Sequence, residues 1–217
     1  MGGLGGGLKN LLSSDSNFHT KRNIHIQILF REFKNDFLEC TLEYNLKYKL
    51  DSIYFIEQGS VVLMNGNRIF SVLKAPNFIG VNYMLENNIN ISNISFLISK
   101  GSQIKKVGIS TCRQIISKKK LHESVNLLLA NVLYNLFDLS ILTYHPDAYD
   151  RVKLSLKFYQ KYNYTLKNLI SVSSFIMNYT QLSKSRTMFI LSELKKGGYI
   201  YTSKDGLEIL KTLPNKF

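Results

Sequence analysis

The chain of 217 residues is 45% hydrophobic and carries 28 Lys+Arg against 15 Asp+Glu, a formal net charge of +13. This much apolar material suffices for one large domain or two small ones. The charge points to a polyanionic partner, although A·T-biased coding is a plainer source for part of the Lys excess. Two cysteines, Cys40 and Cys112, with no CxxC exclude an iron–sulfur cluster or a four-cysteine zinc site, and no apolar run reaches the roughly 18–20 residues that span a bilayer.

In chain order, the Gly- and Ser-rich residues 1–20 are expected to form a flexible tail. They lack the charged, apolar and cleavage regions of a secretory signal, and the sparse cysteines suit a reducing, cytoplasmic setting. From about Ile24 to Ile109 the pattern is short and β-like, a β-roll domain over residues 21–118. Candidate strands are Phe37–Leu42, Ser52–Ile56, Ser60–Met64, Arg68–Leu73, Ser95–Ser99 and Gln103–Ile109. Asn65-Gly66-Asn67 marks a hairpin turn, because Asn-Gly supplies positive φ.

After Ile109 the apolar period lengthens to about 3.6 residues. Ser110 is a candidate N-cap for a helix over Thr111–Lys119. His122–Tyr144 is a long helix within residues 119–146, with Val125, Leu128, Leu129, Val132, Leu133, Leu136, Leu139 and Leu142 as its stripe. That stripe is wide enough to face the roll on one side and a partner helix on the other. His145-Pro146 ends it. The domain boundary falls at about Thr143–Ala148. A further helix covers Ala148–Lys161, and another begins near Thr165 or Ser171.

The last segment, residues 147–217, holds 12 basic and 5 acidic side chains, so this third of the chain carries +7 of the +13. Ser171–Tyr179 reads as a helix with Phe175 and Ile176 inward, and Thr180-Gln181-Leu182 as a tight turn. Ser183 is the expected N-cap of a second helix reaching Lys196, with Met188, Ile190, Leu191 and Leu194 on its buried side. Gly197-Gly198 allows a left-handed stop. Tyr199–Thr202 and Leu207–Leu210 then pair as a ribbon around Ser203-Lys204-Asp205-Gly206. This order is a winged helix-turn-helix, whose second helix enters the DNA major groove. Ser183, Lys184, Ser185, Arg186 and Phe189 lie toward the exposed N-terminal end of that helix, and Lys204 at the wing tip suits a phosphate. Lys195 and Lys196 suit either a phosphate or the negative helix C-terminus.

The whole order, over about Phe37–Leu213, resembles the CRP/FNR superfamily of transcription regulators. The resemblance implies an α+β fold: a cyclic-nucleotide-binding-like β-roll, a long dimerisation helix and a C-terminal winged helix-turn-helix. Arg151-Val152-Lys153-Leu154, Leu182–Arg186, Leu194–Ile200 and Leu213-Pro214 look closer still to the enterobacterial winged-helix regulators named for inhibition of pressure responses, a subgroup that implies a stress response. In the superfamily the positions matching Ser183, Lys184, Ser185 and Phe189 lie at the DNA. Ser183-Lys184 agrees with the common Ser-Arg pair, whereas Ser185 and Phe189 stand where Glu and Arg are usual. Cyclic-nucleotide binders carry Gly-Glu and then Arg-Ser/Thr. Here Gly80 is followed by Val81, and Ile91-Ser92 replaces the Arg pair, so the cyclic phosphate lacks its bidentate partner.

No Ser-His-Asp set, catalytic carboxylate pair, Walker loop or GxGxxG occurs, and the chain is read as a non-enzyme without cofactor or metal. His19, His25, His122 and His145 have no metal-ligand spacing. Cys112, early in a helix, is either a thiol of lowered pKa or a plain half-buried cysteine. Tyr83 and Met84 either line an apolar pocket or belong to the core. The expected partners are double-stranded DNA and a second copy of the chain, with RNA polymerase as a further candidate and no membrane. The alternatives are a protein-interaction module, or a sensor of a non-nucleotide apolar ligand on the same fold.

Overall fold

A computed structural model describes residues 16–215 apart from 45, 86–93, 145–146 and 204–205. Its first element is α1, Ser16–Phe33, where the sequence suggests the end of a tail and the start of β-structure. The cause of the difference is legible. Ile24, Ile26 and Ile28 alternate like a strand, but the buried positions are Ile26, Leu29 and Phe33, at helical spacing, while Ile24 is exposed.

Among the described residues eight strands follow: β1 Leu38–Glu39, β2 Tyr48–Lys49, β3 Ile53–Gln58, β4 Ser60–Asn65, β5 Arg68–Lys74, β6 Asn77–Ile79, β7 Ile94–Ile98 and β8 Gln103–Val107. They form two antiparallel sheets of order β1-β8-β3-β6 and β2-β7-β4-β5. Two of these strands are not evident in the sequence pattern, the short β2 and β6, and the expected Phe37–Leu42 strand contracts to Leu38–Glu39. The β4–β5 hairpin turns at Gly66-Asn67, as expected.

The roll has three apolar layers, and β3 and β4 each serve two of them. Tyr54 and Ile56 of β3 meet Val61 and Leu63 of β4, with Phe96, Ile98 and Ile104, between the sheets. The alternate residues of β3, Ile53 and Phe55, point outward to a helical layer. This layer contains α1, α2 (Ile109–Lys119) and α3 (His122–Tyr144), through Ile26, Leu29, Phe33, Cys112, Ile116, Val125 and Leu128. Helix α2 begins two residues earlier than expected, with Gly108 rather than Ser110 at its cap, and no side chain caps it. The Cys112 amide donates to the Gly108 carbonyl at 2.9 Å.

The C-terminal unit comprises α4 (Ala148–Lys161), α5 (Asn163–Leu166), α6 (Val172–Thr180), α7 (Lys184–Lys196), β9 (Ile200–Ser203) and β10 (Gly206–Ile209). Asp147 caps α4 by accepting from the amides of Tyr149 at 2.6 Å and Asp150 at 3.1 Å. Strands β9 and β10 pair antiparallel, Ile200 opposite Ile209. This unit does not stand apart from the roll. Val62 and Met64, the outward alternates of β4, join Ile69 and Val72 of β5 in one buried cluster with Tyr159, Leu166, Phe175, Ile176 and Tyr179. At the edge of this seam the Thr165 hydroxyl donates to Ser60 Oγ at 3.1 Å, and the Tyr44 hydroxyl donates to the Asn168 carbonyl. Lys74 Nζ lies 5.0 Å from the Tyr162 ring centroid. Among the described residues no helix is long and apolar enough to cross a membrane.

Ile69 is 1% exposed and sits in the shared cluster. Ile69→Ala should lower the unfolding free energy by ~2–5 kcal/mol. Urea denaturation followed by circular dichroism measures this, and a loss below about 0.5 kcal/mol, the size of an ordinary surface change, would remove the seam from the core.

Candidate nucleic-acid interface

The helix-turn-helix is built by local hydrogen bonding. Ser171 caps α6 by accepting from the Ser174 amide at 3.2 Å. Thr180, buried at the end of α6, donates to the Ile176 carbonyl at 2.7 Å and accepts from the Leu182 amide at 3.3 Å. Gln181 takes the left-handed conformation, φ 59°, where glycine is usual. Its amide donates to the Met177 carbonyl at 2.9 Å, and its side-chain nitrogen to the Asn178 carbonyl at 2.9 Å. Ser183 then caps α7 by accepting from the Arg186 amide at 3.3 Å, as the sequence indicates. At the far end Gly198, φ 65°, terminates the helix.

Thr187, Ile190, Leu191 and Leu194 form the buried face of α7. Their i, i+3, i+4, i+7 spacing leaves Lys184, Ser185, Arg186 and Phe189 exposed, all at the outward positions expected of them. Met188 corrects the sequence reading. Its apolar character suggests an inward position, but Thr187 takes that place, and Met188, one residue on, turns to the flank and is 46% exposed. It borders an open groove with Leu191, Lys195, Lys167 and Ser171. Lys196 reaches Glu193 at 2.8 Å on an exposed surface, a pair of little energetic weight. Lys204 lies outside the described residues.

Arg151–Leu154 and Leu213-Pro214, two of the segments that carry the finer resemblance, meet in space and have a structural role. Val152 and Leu213 are buried. The Pro214 carbonyl accepts from the Tyr149 hydroxyl at 2.8 Å and from Lys153 Nζ at 2.7 Å. Arg151 Nη1 reaches the Thr180 carbonyl at 3.5 Å, beside the turn between α6 and α7.

In the roll, Gly80 has φ 84°, and a Cβ there would lie 3.0 Å from the Ser52 carbonyl, so the close approach suits glycine. It leads into a 3-10 turn, Val81–Met84. Val81, Tyr83 and Met84 are buried against the helical layer and are core, and Arg113 Nε donates to the Tyr83 carbonyl at 2.8 Å. Ile91 and Ser92 lie outside the described residues. Among the described residues no group of three or more His, Cys, Asp or Glu could hold a metal. His25 Nδ1 is 2.9 Å from Ser124 Oγ, joining α1 to α3. Cys112 is 0% exposed, and burial pushes its thiol up to about 12, so it is neither half-buried nor acidified by the helix dipole. A thiol so protonated and enclosed is a poor nucleophile.

Residues 148–215 match the family model described as winged helix-turn-helix DNA binding, in agreement with the element order of the C-terminal unit. Over most of its length the chain has the fold seen in solved CRP/FNR-family structures. It superposes on the c-di-GMP-responsive global regulator CLP of Xanthomonas campestris with TM-score 0.70 at 10% identity, covering 85% of this chain and 99% of that one. It is similar to a CRP/FNR-family protein of Eubacterium rectale, with TM-score 0.68, 11% identity and 85% and 90% coverage. It is also similar to a CRP/FNR-family transcriptional regulator of Thermus thermophilus, with TM-score 0.59, 11% identity and 80% and 94% coverage. In sequence, the "Inhibitor of hydrogen peroxide resistance" of Escherichia coli K12 is 30% identical over 71 residues, 33% of this chain and 34% of that protein. The match thus spans about a third of the curated relative, and its name concerns peroxide where the sequence resemblance points to pressure.

The buried thiol also sets an alkaline limit. Above pH 9, the ordinary thiol value, the unfolded chain releases the Cys112 proton while the folded chain keeps it until about 12. Stability from this group is therefore complete below pH 9 and declines as pH rises toward 12. Burial likewise pushes the Tyr159 hydroxyl up to about 12 from 10.0, with the same sign. Cys112→Ala should flatten the decline just above pH 9. Urea midpoints measured across pH 8–11 check this; equal slopes in the two proteins would count against it.

Proposed function

We propose that this chain is a dimeric, sequence-specific DNA-binding transcription regulator and not an enzyme. One observation carries the reading: α7 buries one face in the winged-helix core while Lys184, Ser185 and Arg186 stand exposed at its capped N-terminal end. That end combines the positive pole of the helix dipole with two cationic side chains. Lys184 and Arg186 take phosphates or base edges, Ser183 and Ser185 approach the backbone closely, and Phe189 lies one turn further along. Lys204 supplies a phosphate contact from the wing. The cytoplasm, where the DNA is, is the setting this reading implies.

Helix α3 supplies the dimer contact. Beyond Val125 and Leu128, which are buried in the roll, it exposes Val132, Leu133, Leu136 and Phe137 to between 39% and 66%. The first three continue from half-buried Leu129 at i, i+3, i+4, i+7, a seam suited to the same helix of a second copy. Leu139 and Leu142 are also expected in the seam, but their side chains lie outside those described. Two copies would set their α7 helices into successive major grooves, about 34–36 Å apart. RNA polymerase is a further partner for such a regulator.

The roll does not bind cyclic nucleotides tightly. Val81, where a ribose-binding Glu is needed, is 5% exposed and packed into the helical layer. A connection to peroxide stress comes from the name of the partial relative.

Lys184→Ala and Arg186→Ala should each weaken binding to a selected operator at fixed salt. If either contacts a phosphate, its loss should reduce the slope of log K against log[salt] by about 1. Fluorescence anisotropy over a range of salt concentrations measures both effects, and wild-type affinity in both variants would overturn the interface. Leu133→Asp should convert a dimer to monomer in sedimentation velocity; an unchanged mass would move the dimer contact elsewhere.

A further inference from the structure

We infer that the outward face of α7 reads thymine through its C5-methyl group, using Phe189 and Met188 as an apolar edge; the inference rests on the DNA-binding reading above. Phe189 is 53% exposed and Met188 46% exposed, although both are large apolar side chains on a helix whose opposite face is fully packed. They occupy the second turn of α7, just beyond the cationic first turn, at the depth where a recognition helix meets base edges.

The rest of the outward face narrows the chemistry. It carries Lys184, Ser185, Arg186, Ser192, Lys195 and Lys196, and no Asn or Gln occurs in α7. Bidentate recognition of adenine therefore has no candidate there, since that pairing uses a side-chain amide. The helix has one carboxylate, Glu193, which lies in its last third and is paired with Lys196 at 2.8 Å, so near the second turn the exocyclic amine of cytosine meets only serine hydroxyls, which do not discriminate between bases. Two base features have a discriminating partner on this face. Guanine suits Arg186 or Lys184, and the thymine methyl, the apolar group that the major groove displays, suits Phe189 and Met188. Ser185 and Ser192 lie at i−4 and i+3 from Phe189, on the same stripe. Their small side chains let the helix seat deeply enough for the Phe189 ring to reach a methyl group.

The test uses the full chain. A preferred duplex is first selected from random DNA, and each thymine is then replaced by deoxyuridine, which removes the methyl and keeps every hydrogen-bonding atom. Wild-type affinity should fall about fourfold for each methyl in contact, the equivalent of ~0.8 kcal/mol for one buried carbon. Phe189→Ala, at an exposed site, should keep its circular dichroism spectrum and lose that sensitivity at one position or more, while Phe189→Leu should retain it. A wild-type protein indifferent to every uracil substitution overturns the inference and leaves DNA binding intact. So does a Phe189→Ala and Met188→Ala pair as sensitive as wild type. DNA binding without any preferred duplex overturns it too. A chain that binds no DNA overturns the DNA-binding reading itself, and this inference with it.

Discussion

The seam between the outer face of the second sheet and the winged helix is the contact on which the remaining architecture depends. Strand β4 has no polar face: Val61 and Leu63 fill the space between the sheets, while Val62 and Met64 reach the C-terminal unit. A strand buried on both sides must have something covering it, and here the cover is α6 with the α4–α6 connection. Phe158, Phe175 and Tyr179 pack ring on ring behind this contact, with Phe158 and Phe175 centroids 5.9 Å apart and Phe175 and Tyr179 5.0 Å apart. The α6 helix leads through a turn of minimal length to α7. The seam therefore sets the direction of α7 relative to the roll.

The charge distribution follows from the same arrangement. The C-terminal unit turns its aromatic and aliphatic residues toward the roll and leaves the N-terminal end of α7 in water. Lys184 and Arg186 consequently gather at one exposed place, reinforced by the helix dipole. Helix α1 covers β3 and braces α3 through His25 and Ser124. The exposed apolar run of α3 begins near the end of that cover, at Val132. These two uncovered surfaces are a cationic helix end and an apolar stripe at helical spacing, the forms that suit a nucleic acid and a second helix.

Much of the C-terminal unit is legible in the sequence because its signals are local. A serine before the second helix of the pair, a double glycine after it and an alternating ribbon each act within a few residues. Tertiary packing has little to override, and the α7 boundaries agree closely. Met188 departs from expectation because apolar character does not set direction on a helix; Thr187, less apolar, takes the inward position. Helix α1 departs for a related reason. Its isoleucines fit a period of two, whereas Ile26, Leu29 and Phe33 share a helical face, and the choice between them is made by that face meeting the roll. The seam itself has a signal in the chain: Val61–Met64 is uninterrupted by any polar residue, the mark of a strand with both faces covered.

From its sequence alone this protein is determined to be an α+β chain with a β-rich first half, a long helix and a capped helix-turn-helix with a basic N-terminal end. Short-range hydrogen bonding and the hydrophobic period specify these features without reference to distant parts of the chain. The tertiary structure alone decided that Cys112 is sealed in the helical layer, that Arg151–Leu154 and Leu213-Pro214 brace one another, and that the roll and the winged helix share a core. Those outcomes depend on which surfaces meet, and burial free energy is a property of both partners in a contact rather than of either segment.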